Sequence, residues 1–344
     1  MVNPSKSYKN TFILLIITLL IVVGINISLG SVFIPLKQIL FSLFDGPVEK
    51  ESWKAIILNY RLPKAITAMV VGSGLSISGL LMQTLFRNPL AGPFVLGISS
   101  GASLGVAILI LGASFLGANI TAYAFTNWGL AIAASAGAFL VLSAVMLAAI
   151  KVRNTMSILI IGLMFGSLTA AVISVLAYFS SANQLQQYLF WSFGSLGNLS
   201  WNEISALLVT FFIGISLVIF IIKPLNSLLL GENYAKSMGV NVKLTRNLTL
   251  ISTSLLTGVI TAFSGPIAFI GLAVPHLTKL LFNTSNHKTL LPAVAISGAI
   301  IMLICDSIAQ LPSSEYTLPI NAITSLFGAP IIIWLLVRKR KVFY

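Results

Sequence analysis

The chain alternates long apolar runs with short breaks marked by polar residues, proline or glycine. Reading the windows between breaks gives about ten spans, at 11–30, 65–85, 95–113, 128–150, 156–178, 203–222, 247–263, 266–282, 290–310 and 319–337. A bilayer core about 30 Å thick takes roughly 20 apolar residues of helix but only about half that length of barrel strand. The runs have the helical length, and they lack the strict alternation of lipid-facing and lumen-facing residues that a membrane barrel needs. The stretch 247–282 leaves open one broken helix in place of two. The pattern therefore predicts an all-α, polytopic membrane protein, a single transmembrane domain over 1–344 without a soluble appendage. Lys6 and Lys9 before the run from Thr11 imitate a secretory leader, but the run continues to Gly30 with no small-x-small cleavage site, so a retained first helix is expected.

Composition strengthens this reading: 57% of the residues are hydrophobic and only 8% charged, as in a bundle solvated by lipid. The net charge of +13 would suggest nucleic acid in a soluble chain, but here its distribution matters more than its sum, and no nucleic-acid partner is expected. Basic residues are retained on the cytoplasmic side during insertion. With the N-terminus inside, Lys6, Lys9, Arg87, Lys151, Arg153, Lys223, Lys236, Lys243, Arg246, Lys279, Lys288, Arg338, Lys339, Arg340 and Lys341 are cytoplasmic, fifteen of the twenty. The others, Lys37, Lys50, Lys54, Arg61 and Lys64, all fall in the first outer loop. Both termini are then cytoplasmic, and the outer basic cluster needs its own explanation.

Candidate chemistry is sparse. No G-x-x-x-x-G-K-[ST] pattern occurs, so ATP hydrolysis by the P-loop route needs another subunit. Of the acids Asp45, Glu49, Glu51, Glu203, Glu232, Asp306 and Glu315, Glu203 stands at the very edge of a predicted span and only Asp306 falls inside one, near its outer end. Ion-coupled carriers keep ionisable groups within their spans, so a proton-coupled secondary transporter is the alternative reading and not the first. His276 and His287 sit at the inner end of one span without an H-E-x-x-H pattern or paired aspartates, so no catalytic residue is expected and a membrane-embedded enzyme ranks third. Cys305 is the single cysteine, which excludes an intrachain disulfide and a cysteine zinc cage, and no metal site is expected. Gly72, Gly74, Gly97, Gly101 and Gly105 suit close helix packing or the wall of a path, and the pattern leaves both open. In the longest inner polar connection, Gly231 to Val240 predicts a helix of two turns ended by Gly239.

Several blocks carry a family resemblance. They are Arg61-Leu-Pro-Lys64, Gly72, Ser78-Gly79, Gln83, Arg87-Asn-Pro-Leu-Ala-Gly-Pro93, Gly97-Ile-Ser-Ser-Gly101, Trp191-Ser-Phe-Gly194, and Ser264-Gly-Pro-Ile-Ala-Phe-Ile-Gly-Leu-Ala-Val-Pro-His276, followed by Leu291-Pro292, Asp306 and Gly328-Ala-Pro330. With these the chain resembles the FecCD family of permeases, the membrane subunits of importers for ferric siderophores, haem and cobalamin. The resemblance implies the transmembrane-domain fold of an ATP-binding-cassette (ABC) importer in the cytoplasmic (inner) membrane of a bacterium. It also implies a second permease copy as partner in a homodimer, two ATPase subunits inside that bind ATP and Mg, and a periplasmic or extracellular binding protein outside, with membrane lipid around the spans. This chain would hold no cofactor, and its cargo would be an iron chelate, a ferric siderophore first, with haem or cobalamin also open.

The same resemblance assigns residues. Arg61 and Lys64 match an outward basic pair that receives acidic residues of the binding protein, while Gln310 stands where many members place another outward arginine. Gly231, Glu232, Ala235, Lys236, Ser237, Met238, Gly239 and Val240 match the cytoplasmic coupling helix, with Ala235, Met238 and Val240 expected to contact the ATPase. Thr155 and Met156 match an inner gate by position. Asn88, Pro89, Gly97, Gly101, Gly265, Pro266, Gly271, Pro275, His276 and Asp306 are expected to be structural motif residues.

Overall fold

The computed structural model describes residues 8–113, 126–149, 152, 155–311 and 316–337. Every regular element among the described residues is helical. α1 (Lys9–Ser28) is followed by the short α2 (Leu36–Leu43) and α3 (Glu51–Ile56). α3 passes through a π-turn at Ile57–Arg61 into α4 (Leu62–Leu85), one apolar rod of 35 residues from Glu51. The sequence places the start of this span at 65, because Lys54, Arg61 and Lys64 lower the apolar count where the backbone is already helical. A 3₁₀ turn, Pro93–Leu96, leads to α5 (Ile98–Ile110). Then come α6 (Asn127–Ala149), α7 (Thr155–Tyr178), α8 (Ala182–Ser192) and α9 (Trp201–Phe220). α10 (Ile222–Leu228) and α11 (Glu232–Ser237) fill the long polar connection before α12 (Val242–Ser264), α13 (Ile270–Phe282), α14 (His287–Ala309) and α15 (Ile320–Val337).

Local chemistry sets several of these boundaries. Ser181 with Gln184, and Ser200 with Glu203, form capping boxes that start α8 and α9. Asn241 and Asn286 cap α12 and α14 by accepting from Leu244 N and Lys288 N, each at 3.0 Å. The ambiguity over 247–282 resolves into two helices, since the backbone leaves the helical region at Gly265 (φ +72°) and re-enters at Phe269 (φ +66°). Among the described residues, seven helices are long and apolar enough to cross a membrane, and α5, α13 and α15 are shorter apolar helices.

α4 is the centre of the bundle: 83% of its apolar window is buried, against 17% for α1 and α7. A Cβ at Gly72 would collide with the carbonyl oxygen of Gly298 on α14, and one at Gly298 with that of Gly72, so the two backbones touch. In lipid, where there is no hydrophobic drive between helices, such contact supplies the van der Waals packing that holds them. By contrast, Ile160, Leu163, Met164 and Leu168 on α7 and Leu14, Ile17, Leu20 and Ile21 on α1 are exposed, as lipid-solvated faces are.

Candidate functional site

At one end of the bundle the predicted basic pair turns inward. Arg61, in the π-turn, donates through Nη1 to the carbonyls of Ile27 at 2.7 Å and Ser28 at 2.9 Å, and through Nη2 to that of Val32. Ile27 and Ser28 close α1, whose last carbonyls have no partner within the helix and whose dipole favours a cation. Lys64 Nζ lies 3.1 Å from Asp306 Oδ1, and the Asp306 side chain is only 3% exposed. The other carboxylate oxygen accepts from Asn26 Nδ2 at 2.9 Å and from Gln310 Nε2 at 2.7 Å. α1, α4 and α14 are thus tied by one satisfied buried charge. Gln310, where the resemblance leads one to look for an outward arginine, is buried and serves Asp306. The Lys64 side chain keeps 22% exposure and lines open cavities of about 310 and 490 Å³.

At the opposite end the motif residues build a second, mostly structural cluster. Asn88 Oδ1 accepts from Leu90 N at 2.9 Å, which shapes the turn after α4, and Pro89 O accepts from His276 Nε2 at 2.7 Å. That oxygen can only accept, so Nε2 carries the proton. Pro275 deprives Gly271 O of its helical donor four residues on, and Gly79 of α4 fits against that oxygen so closely that a Cβ would collide with it. Gly101 of α5 meets Gly137 of α6 in the same manner. Gly97 (φ +74°) starts α5, whereas Gly265, followed by Pro266, ends α12 back at the Lys64 end, against the carbonyl of Trp191 and beside Gly194, which lines the same cavity as Lys64 and Asp306. For His287 no partner is readable from the sequence, yet its backbone N and its Nδ1 both donate to Asn226 Oδ1 of α10 at 2.8 Å, and its Nε2 is 2.8 Å from Thr84 Oγ1 of α4. Neither residue type nor spacing signals this tie, because its members come from three distant segments.

α11 sits beside that tie. Gly231 (φ +111°) turns the chain into it, and Glu232 occupies its first turn. Gly239 (φ +80°) ends it: Gly239 N donates to Lys236 O and Val240 N to Ala235 O, each at 3.0 Å, the paired bonds of a Schellman motif. Lys236 and Ser237 are exposed, and Val240 is half-buried. Ala235 is fully buried and anchors the helix from below, so it is not the contact residue expected. The uncovered apolar side chains are Leu230 just before the helix, and Tyr234 and Met238, one turn apart within it and at its end. Thr155 and Met156 open α7, but their side chains lie outside the described residues.

The model of the FecCD transport family matches residues 16–338. The chain belongs to this family. Among curated FecCD-type relatives, it is 37% identical over 287 residues to the vitamin B12 import system permease protein BtuC of Citrobacter koseri, covering 83% of this chain and 84% of the relative. It is 36% identical over 289 residues to the BtuC of Salmonella typhi, with the same coverage. A structure solved in an inward-facing conformation and assigned to the metal-chelate type of ABC transporter aligns with a TM-score of 0.83 at 30% identity, over 97% of this chain and 100% of that one. PsaBC from Streptococcus pneumoniae in complex with Fab shares the fold at a TM-score of 0.54 and 16% identity, over 87% of this chain and 94% of that one. This FecCD chain is accordingly an ABC importer permease, a multi-pass protein of the bacterial inner membrane.

Proposed function

We propose that the permease works as one of two identical copies that form a channel for a bulky metal chelate, with ferric siderophores, haem and cobalamin as the candidate cargoes. The α11 end faces the cytoplasm and receives an ABC subunit that binds ATP and Mg; the Arg61 end faces outward and receives a binding protein. The observation that carries this reading is α11 itself, a short helix held rigid by its glycine-bounded ends, with Leu230, Tyr234 and Met238 uncovered among polar residues. Such a knob moves as a block with the helices it joins when a partner grips it. The distribution of lysine and arginine supports the orientation. The names of the relatives and of the similar structure, vitamin B12 import and metal-chelate type, support the cargo class.

Within this reading Arg61 shapes the outer mouth without taking part in docking, and an acidic side chain of the binding protein meets the exposed part of Lys64 there. Exposed ion pairs contribute little affinity, so Lys64 sets register and encounter. Thr155 and Met156 are the proposed inner gate. No observation favours a proton-coupled carrier: the two buried carboxylates among the described residues are both held, Asp306 as above and Glu203 by Ser200 N at 2.7 Å and Ser200 Oγ at 2.9 Å.

Reconstitution with the ATPase subunit and binding protein, offering each labelled chelate in turn, tests the proposal. Uptake of one of them is expected to require ATP, and Tyr234→Asp with Met238→Asp is expected to abolish uptake while the ATPase subunit still hydrolyses ATP. Accumulation driven by a proton gradient without the ATPase subunit would overturn it.

A further inference from the structure

Beside α11 lies a cavity of about 650 Å³, bounded by Thr84 to Arg87 at the end of α4, Leu228 to Tyr234, and Val242 and Arg246 at the start of α12. Arg87 and Arg246 bring two guanidinium groups to it. The Arg87 group lies close to α11, since a Cβ on Gly231 would stand 3.6 Å from its Nη1. Neither guanidinium has a hydrogen-bond or ion-pair partner among the described residues. Each carries five N–H donors in a planar, cationic fork. Glu232 is the one carboxylate in the described lining, and the neighbouring sequence adds three exposed cations, Lys223, Lys236 and Lys243. The field at this cavity is therefore positive, and the occupant it favours is an anion able to accept from two forks at once.

We propose that the cavity is the socket for an acidic side chain, an aspartate or glutamate of the ATP-hydrolysing subunit, clamped between Arg87 and Arg246 while Leu230, Tyr234 and Met238 pack around it. This rests on the importer reading above and adds the chemistry of the partner's surface. A protein fits better than a lipid headgroup because the rim is a mosaic. Exposed Leu230, Tyr234 and Met238 alternate with exposed Glu232, Asn233, Lys236 and Ser237, whereas the exposed side of α7 carries no charged residue and is dominated by Ile160, Leu163, Met164, Leu168, Val172 and Val175. A mosaic of apolar anchors and paired charges is the composition of a protein interface. Closed off from water by those anchors, a doubly clamped carboxylate fixes the register of docking. It also ties the partner to the end of α4, the start of α12 and α11 together, so that a single grip reaches the central helix of the bundle.

The test is the affinity of the ATPase subunit for the full-length permease in nanodiscs of phosphatidylcholine alone, measured across a salt series. Arg87→Ala with Arg246→Ala is expected to weaken binding by about tenfold or more at low salt and to flatten the salt dependence. Arg87→Lys with Arg246→Lys, which keeps the charge and loses the fork, is expected to lose less. Arg87→Glu with Arg246→Glu should be rescued by lysine in place of one acidic residue of the ATPase subunit. Unchanged affinity and salt slope in both the alanine and the lysine pairs would overturn the socket while leaving the importer reading intact. An arginine effect that appears only after anionic lipid is added would overturn it in favour of a headgroup site. If the wild-type permease bound no ATPase subunit at all, both readings would fall together.

Discussion

Lys64 and Asp306 form a lopsided pair: the carboxylate is sealed among α1, α4 and α14, while the ammonium keeps a route to water. Removing the cation leaves a buried charge with only the amides of Asn26 and Gln310, and breaking such a pair costs roughly 3 kcal/mol or more. Lys64→Met is therefore expected to lower the unfolding midpoint in detergent clearly. Adding Asp306→Asn to it is expected to recover most of the loss, because the orphaned charge disappears. Simple additivity of the two single losses would contradict this account. The sequence marks both residues, Lys64 as a member of the basic cluster in the first outer loop and Asp306 as the lone acid inside a span. It did not reveal that they belong to each other, nor that Arg61 caps α1, because side-chain partnership depends on which helices meet and the partners are far apart in the chain. Gln310 illustrates the same limit: as a letter it reads as a missing outward cation, and in place it is a buried donor.

At the scale of elements, long apolar runs were legible because lipid forces each crossing to satisfy its own backbone groups and to reach a set length. Helix starts rich in polar residues were not legible from hydropathy. α12 begins at Val242, five residues before the apolar window at 247, since Lys243, Thr245 and Arg246 are helical without being apolar. α8 and α10 were missed for the same reason, and their signals, the Ser181 and Gln184 capping box among them, are local and weak. α11 was legible through its glycines. Its closing turn is also testable: Gly239 has nothing within 4 Å of where a Cβ would stand, so Gly239→Ala tests conformation alone. A left-handed alanine costs about 1 kcal/mol, or about a fivefold change in a local equilibrium. The amides of Gly239 and Val240 are expected to exchange several-fold faster in that variant, with the unfolding midpoint of the whole protein unmoved. Equal protection in the two proteins would show that the Schellman bonds do not hold the helix.

Across the whole molecule, α4 and α14 form a spine with ties at both ends. At one end Asp306 joins α14 to Lys64 of α4 and Asn26 of α1; at the other, His287 joins α14 to Thr84 of α4 and Asn226 of α10, which leads to α11. Backbone contact at Gly72 and Gly298 makes the two helices one body between those ties. In the proposed importer, a grip on α11 would reach the mouth where Lys64 sits through this one body. The central claim is that α11 lies in the cytoplasm under an ATPase subunit, and labelling of a single cysteine tests it most directly. With buried Cys305 replaced by alanine, Met238→Cys is examined in sealed membrane vesicles of known orientation with an impermeant thiol reagent. The account predicts labelling only from the cytoplasmic face, and protection once the ATPase subunit is bound. Labelling from the outer face, or labelling that the bound ATPase subunit leaves unchanged, would contradict it.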